Sequence, residues 1–132
     1  MLGLKERIIF RLRHEIFNLY KIGTLYWKYA GMHIGRKTFL SRISSNWPHQ
    51  VSIGNNCKIM RGTIFHYDGL YKQEPSILVG DNVFIGHNCL FNIRKKITIG
   101  NCCKIAAGCK FIDHDHDTSG ELPLQKKIST RR

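Results

Sequence analysis

A six-residue beat constrains this chain more than any other feature. It reads Ile53-Gly-Asn-Asn-Cys-Lys, then Ile59-Met-Arg-Gly-Thr-Ile. It returns as Val79-Gly-Asp-Asn-Val-Phe and Ile85-Gly-His-Asn-Cys-Leu, and again as Ile99-Gly-Asn-Cys-Cys-Lys and Ile105-Ala-Ala-Gly-Cys-Lys. Phe65, Phe91 and Phe111 open the third unit of each group. Each unit starts on an aliphatic residue, usually followed by glycine, two turn-prone residues and a small one. Self-similarity at a fixed short period is the mark of a solenoid. Ile34-Gly-Arg-Lys-Thr-Phe and Leu40 read as the first units, before a stretch from Ser41 to Gln50, containing Pro48, breaks the beat.

The opening positions 34, 53, 79 and 99 are separated by 19, 26 and 20 residues. Each separation is eighteen plus a remainder, and eighteen residues make three hexads. The geometry that satisfies this is a triangular prism, with one short strand per face and a tight corner between faces. Successive coils then stack at ordinary strand spacing, about 4.8 Å. About four coils fit between residues 34 and 112. The opening aliphatics point inward and form ladders such as Ile53–Val79–Ile99, while Asn55-Asn56, Asp81-Asn82 and Asn101 suit strained corners. The remainders fall mainly after the third hexad, so one region of the prism sprouts loops. The largest spans about His66–Ser76, and such loops are where a site is expected.

Charge divides the chain in three. Residues 1–42 carry nine basic and two acidic residues, net +7. Residues 126–132 carry +4, and the repeats between them only +1. Basic ends favour an anionic partner such as a membrane surface, an acidic glycan or a phosphate-bearing cosubstrate. The repeats show no nucleic-acid motif and no aromatic–basic platform, so no nucleic acid is expected. The expected organisation is an amphipathic helix over 1–33, a β-helix over 34–125 with a histidine loop at 113–120, and a basic tail over 126–132.

In the helix, Ile9, Leu12, Ile16, Leu19 and Tyr20 follow helical spacing, with Arg7, Arg11, Arg13 and Lys21 between them. Leu25, Tyr26, Trp27 and Tyr29 extend it as an aromatic patch, and Gly31 is the expected stop. The helix reads as a cap on the end of the domain, or as a basic surface for an anionic membrane. No apolar run reaches the ~18 residues of a membrane span. Cys57, Cys89, Cys103 and Cys109 share the small-residue slot with Thr38, Thr63 and Val83, which predicts buried free thiols in a reducing compartment.

The hexads resemble those of the left-handed parallel β-helix acyltransferases. With the basic N-terminus and Asp113-His114-Asp115-His116, the chain is most similar to the sugar O-acetyltransferases of capsular, exopolysaccharide and lipopolysaccharide assembly. The resemblance implies an all-β solenoid with left-handed coils, and a homotrimer with a loop histidine as general base at the subunit interface. It also implies acetyl-CoA as co-substrate, a saccharide acceptor and a cytoplasmic location peripheral to the inner membrane face. Neutral histidine suits the base because it exchanges protons near working pH. His116 is the first choice, ahead of Asp117-Thr118-Ser119-Gly120, and His114 the second. Asp113 or Asp115 would orient the imidazole, as the acidic member of a triad does. His66 at the large loop and His87 at a corner are candidates to face substrate, while Trp27 and Trp47 read as packing residues. No metal is expected: Asp113-x-Asp115-x-Asp117 lacks the glycine and terminal glutamate of a calcium loop. The family's acetyl-CoA cleft is built by coils following the histidine loop, and this chain ends sixteen residues past His116. No cofactor-binding residue is therefore carried over. The alternative expectation is a truncated, inactive β-helix protein with an association or membrane-surface role.

Overall fold

The computed structural model describes residues 3–116 and 128–130, the side chains of 13–22, 116 and 128–130 excepted. Twelve short strands fall in rotation into three parallel four-stranded sheets. The first sheet joins β1 (His33–Ile34), β4 (Val51–Ile53), β7 (Ile77–Val79) and β10 (Ile97–Ile99). The second joins β2 (Phe39–Leu40), β5 (Lys58–Ile59), β8 (Phe84–Ile85) and β11 (Lys104–Ile105). The third joins β3 (Ser44–Ser45), β6 (Ile64–Tyr67), β9 (Leu90–Ile93) and β12 (Lys110–Ile112). Each strand therefore pairs with the strand three places along, which is the order of a parallel β-solenoid. The expected ladder is in register: Ile34 faces Ile53, Ile53 faces Val79, and Val79 faces Ile99.

Each round hangs on the next through main-chain bonds: the Gly35 N–H reaches the Ile53 carbonyl, that of Gly54 reaches Val79, and that of Gly80 reaches Ile99, all at 2.9 Å. The glycine after the opening aliphatic is a steric requirement. A Cβ on Gly54 would stand 2.6 Å from the Gly80 carbonyl oxygen, a distance no side chain tolerates. Beside this seam runs a side-chain ladder. Asn55 Oδ1 accepts from the Arg36 N–H at 2.7 Å, Asp81 Oδ1 from Asn55 at 2.8 Å, and Asn101 Oδ1 from Asp81 at 2.8 Å. The next residue at each of these corners, Lys37, Asn56, Asn82 and Cys102, has φ of 55–60°. Asparagine tolerates that left-handed region best.

The small-residue slot also has a bonding role. Thr38 Oγ1 donates to the Gly54 carbonyl, Cys57 Sγ to Gly80, Thr63 Oγ1 to Gly86 and Cys89 Sγ to Ala106, each one round ahead. Cys57 and Cys89 are buried accordingly. The expectation of buried thiols fails for Cys103, which is exposed, and for Cys109, which is half-buried. Both belong to the fourth round, and no fifth round stacks on them among the described residues. The first round departs as well. Its second corner, from Leu40 to Ser44, is one residue shorter than those from Ile59 to Ile64 and Ile85 to Leu90, which explains why the beat blurs there.

The core is the interior of the prism. Leu40, Ile59 and Ile85 fill one wall, and Phe65 stacks on Phe91 at 5.1 Å and Phe91 on Phe111 at 4.9 Å, nearly parallel. Helix α1 (Leu4–Tyr29) meets β1 and β2 at the first round. Trp27 packs on the core, and the Met32 N–H closes the helix on the Trp27 carbonyl. The expected stop at Gly31 is where the helix ends. Leu4, Ile8, Ile9 and Leu12 are all exposed, so this described part of the helix does not cap the prism. No helix among the described residues is long and apolar enough to cross a membrane. After β12 the chain was expected to form a loop from 113. Instead β13 (His114–His116) pairs antiparallel with β14 (Ile128–Thr130) inside the expected basic tail. Residues 117–127 lie outside the described residues.

Phe91 is the middle ring of the stack, fully buried between two others. Phe91→Ala should cost about 3–5 kcal/mol, and Phe111→Ala, at the half-buried end, clearly less. Urea unfolding followed by circular dichroism checks this ordering.

Candidate functional site

The third corner of the prism, between the third and first sheets, carries every long connection. It holds residues 46–50, with a 3₁₀ turn at Pro48–Gln50, residues 68–76 and residues 94–96. Chain leaving β12 comes to the same edge. Buried Gln50 fastens the largest loop there. Its Oε1 accepts from Ser76 Oγ at 2.7 Å, its Nε2 donates to the Lys72 carbonyl, and its own carbonyl accepts from the Ser76 N–H. Tyr67 Oη donates to the Leu70 carbonyl. Gly69 passes so close to the Arg94 carbonyl and the Tyr67 hydroxyl that a Cβ there would collide with both. The loop, though largely exposed, is thus fastened at both ends by hydrogen bonds to its backbone. Between 67–72 and 94–96 lies a cleft of about 610 Å³.

Four titratable side chains, those of Asp68, Arg94, Asp113 and His114, meet beside this cleft. Asp113 Oδ1 accepts from the Arg94 N–H at 2.7 Å, and Oδ2 from Lys95 at 2.8 Å and Lys96 at 3.2 Å. Asp113 Oδ1 also lies 3.2 Å from Nδ1 of His114. On the other side of the ring, His114 Nε2 is 3.5 Å from Asp68 Oδ2. Arg94 Nη2 holds that same oxygen at 3.1 Å, and Arg94 Nε is buried without a hydrogen-bond partner. The His114 side chain is only 6% exposed. The ring thus lies between two carboxylates, with Nδ1 beside Asp113 and Nε2 beside Asp68, a wall residue of the cleft; whichever nitrogen carries a proton donates it to the carboxylate it faces. If the ring takes a second proton, two carboxylates balance one imidazolium and one guanidinium.

Burial acts to raise the Asp113 carboxyl pKa. The backbone hydrogen bonds from Arg94 and Lys95, the contact with His114 and the bond from Lys96 outweigh it, and the pKa is held below the ordinary carboxylate value.

The structure brings together Asp113 and His114 of the expected residues, and joins to them Asp68 and Arg94, which were not foreseen. Asp115 lies in β13 between the two histidines and pairs with Ser129 through the strand. His116 ends that strand opposite Ile128; its side chain lies outside the described residues. His66 is half-buried on β6, in register with Asn92. His87 is exposed at the second corner, where its carbonyl accepts from the Gly108 N–H. Neither lines the cleft. Trp47, read as a packing residue, is 43% exposed and faces His49 and Tyr71. Among the described residues no group of three or more His, Cys, Asp or Glu is placed to hold a metal ion. The missing signal for Asp68 was its position in the largest insertion. For Arg94 it was the cation run Arg94-Lys95-Lys96, one round on at the same corner.

A carboxyl whose folded pKa is lowered stabilises the fold above its unfolded value, about 3.9. That stabilisation is lost as pH falls through the lower folded value. Asp113→Asn should therefore reduce stability at neutral pH and flatten its loss on acidification. Urea midpoints measured from pH 7 to pH 2 for both proteins check the sign.

No family model matches the chain, and neither a curated protein nor a solved structure matches it.

Proposed function

We propose that this chain is an O-acetyltransferase of the left-handed parallel β-helix kind, acting from acetyl-CoA on a sugar hydroxyl in surface polysaccharide synthesis, as a homotrimer. The observation that carries the reading is the Asp113–His114 pair, its imidazole largely buried, beside a cleft. In this reading His114 is the base, with Asp113 as its orienting partner, and His116 is the alternative. His114 Nε2 takes the acceptor hydroxyl proton as the oxygen attacks the thioester carbonyl carbon. A tetrahedral oxyanion forms, the C–S bond breaks, and the proton passes from the imidazolium to the departing CoA thiolate. The acetyl ester and free CoA are the products. A positioned base of this kind contributes about 10²–10⁴-fold, and Asp113 stabilises the imidazolium while it lasts.

Incubation with acetyl-CoA and candidate saccharides, read by mass spectrometry for a gain of one acetyl group, tests the reaction. His114→Asn should lower the rate about 10²–10⁴-fold without loss of the solenoid's circular dichroism. A normal rate in His114→Asn with loss in His116→Asn would transfer the role to His116.

A second reading, a β-solenoid with an association role at a membrane surface, is favoured by the helix. Leu4, Ile8 and Leu12 form an exposed stripe at four-residue spacing, and Lys5, Arg7 and Arg11 are exposed on the same segment. Such a helix lies in the interface of an anionic bilayer with its apolar stripe inward, at about 1 kcal/mol per basic residue near the surface. The protein should co-sediment with phosphatidylglycerol vesicles and not with phosphatidylcholine vesicles. Leu4→Glu/Ile8→Glu should abolish the difference.

A further inference from the structure

Resting on the acyltransferase reading for its catalytic consequence, we propose that the third-corner cleft binds an acidic saccharide. Its carboxylate would sit against Lys72, Arg94, Lys95 and Lys96 and its ring face on Trp47, His49 and Tyr71. Two independent observations lead here. The first is charge. The repeat region 43–125 carries eight basic residues in all, and four of them line this one cleft. The carboxylate in the lining, Asp68, is already engaged by Arg94 and adjoins His114. Four cations thus stand at the cleft against Asp68 and the adjoining Asp113, which leaves positive charge in excess there. Two of the cations are also pre-positioned: Arg94 by Asp68, and Lys72 by its ammonium donating to the Lys95 carbonyl at 3.0 Å. Pre-positioned cations lose less entropy on binding, and a guanidinium fork matches a carboxylate.

The second observation is the aromatic trio. Trp47 lies 5.1 Å from His49 and 6.4 Å from Tyr71, and His49 lies 5.7 Å from Tyr71, with the ring planes inclined by 41–69°. The rings form a cup rather than a stack, and Tyr71 is 71% exposed. Trp47 and Tyr71 leave much of their ring surface exposed beside the cleft, and exposed apolar surface rimmed by polar residues is a feature of ligand-binding grooves. The flat apolar face of a ring is the surface that the C–H face of a pyranose seeks. Tyr71 belongs to both the cup and the cleft wall, so one saccharide reaches both. The phosphates of acetyl-CoA share the anionic chemistry but have no need of the cup. An anchored acid group would fix which hydroxyl of the acceptor reaches Nε2 of His114.

Titration of the full chain with tri-galacturonate, neutral maltotriose and CoA, followed by tryptophan fluorescence and calorimetry without acetyl-CoA, tests the inference. Tri-galacturonate should bind about tenfold or more tightly than maltotriose, and more weakly as salt rises. Lys95→Gln/Lys96→Gln should erase that preference while circular dichroism stays unchanged, and Tyr71→Ala should weaken tri-galacturonate binding. Equal binding of the acidic and neutral sugars overturns the proposal. So does binding of CoA alone with loss in the lysine variant. Tri-galacturonate binding without any acetyl transfer leaves the saccharide site standing and defeats the acyltransferase reading. Equally efficient transfer to acidic and neutral acceptors does the reverse.

Discussion

The whole molecule depends on a close main-chain contact between rounds. Backbone N–H groups of one round reach carbonyls of the next at about 2.9 Å all along the prism, and the residue after the opening aliphatic must lack a Cβ where the seam is tightest. Once that contact is made, everything else is in register. The aliphatics stack inward, the phenylalanines lie ring on ring, and the small-slot hydroxyls and thiols find a carbonyl ahead of them. No single contact here is strong. Their repetition makes each round depend on its neighbours.

The candidate site reuses the same device. Asn55, Asp81 and Asn101 each place a side-chain oxygen on a backbone N–H one round back. Asp113 does the same at the third corner for Arg94, Lys95 and Lys96. There it also engages His114, so a stacking bond becomes the support of an imidazole. Asp68 and Arg94, 26 residues apart, are brought face to face by the same one-round step. The candidate site thus stands on the edge where the long loops emerge, supported by the stacking that builds the core.

Much of this was legible in the residues. The hexads reveal the strands, the Ile53–Val79–Ile99 ladder and the corner asparagines, because each is repeated at a fixed distance. The slot of Cys57 and Cys89 was legible too, but a slot is buried only where a further round covers it, and Cys103 and Cys109 have none among the described residues. The third corner was visible only as a place where length varies. Gln50, Asp68, Lys72 and Arg94 have no period, and their partnership arises from loops of unequal length meeting in space. The choice between His114 and His116 lay beyond spacing alone, since residues two apart on a strand share a face. The placing of the His114 ring between Asp113 and Asp68 is a tertiary property that spacing does not carry.

If His114 is the base proposed for acyl transfer, its Nε2 must be free to accept a proton. Long-range ¹H–¹⁵N correlation spectra of the labelled protein at neutral pH read this directly, with His114→Asn identifying the resonance. The proposed role predicts a protonated Nδ1 held by Asp113 and an unprotonated Nε2, with that pattern disturbed in Asp113→Asn. A proton on Nε2 with a bare Nδ1 would contradict it.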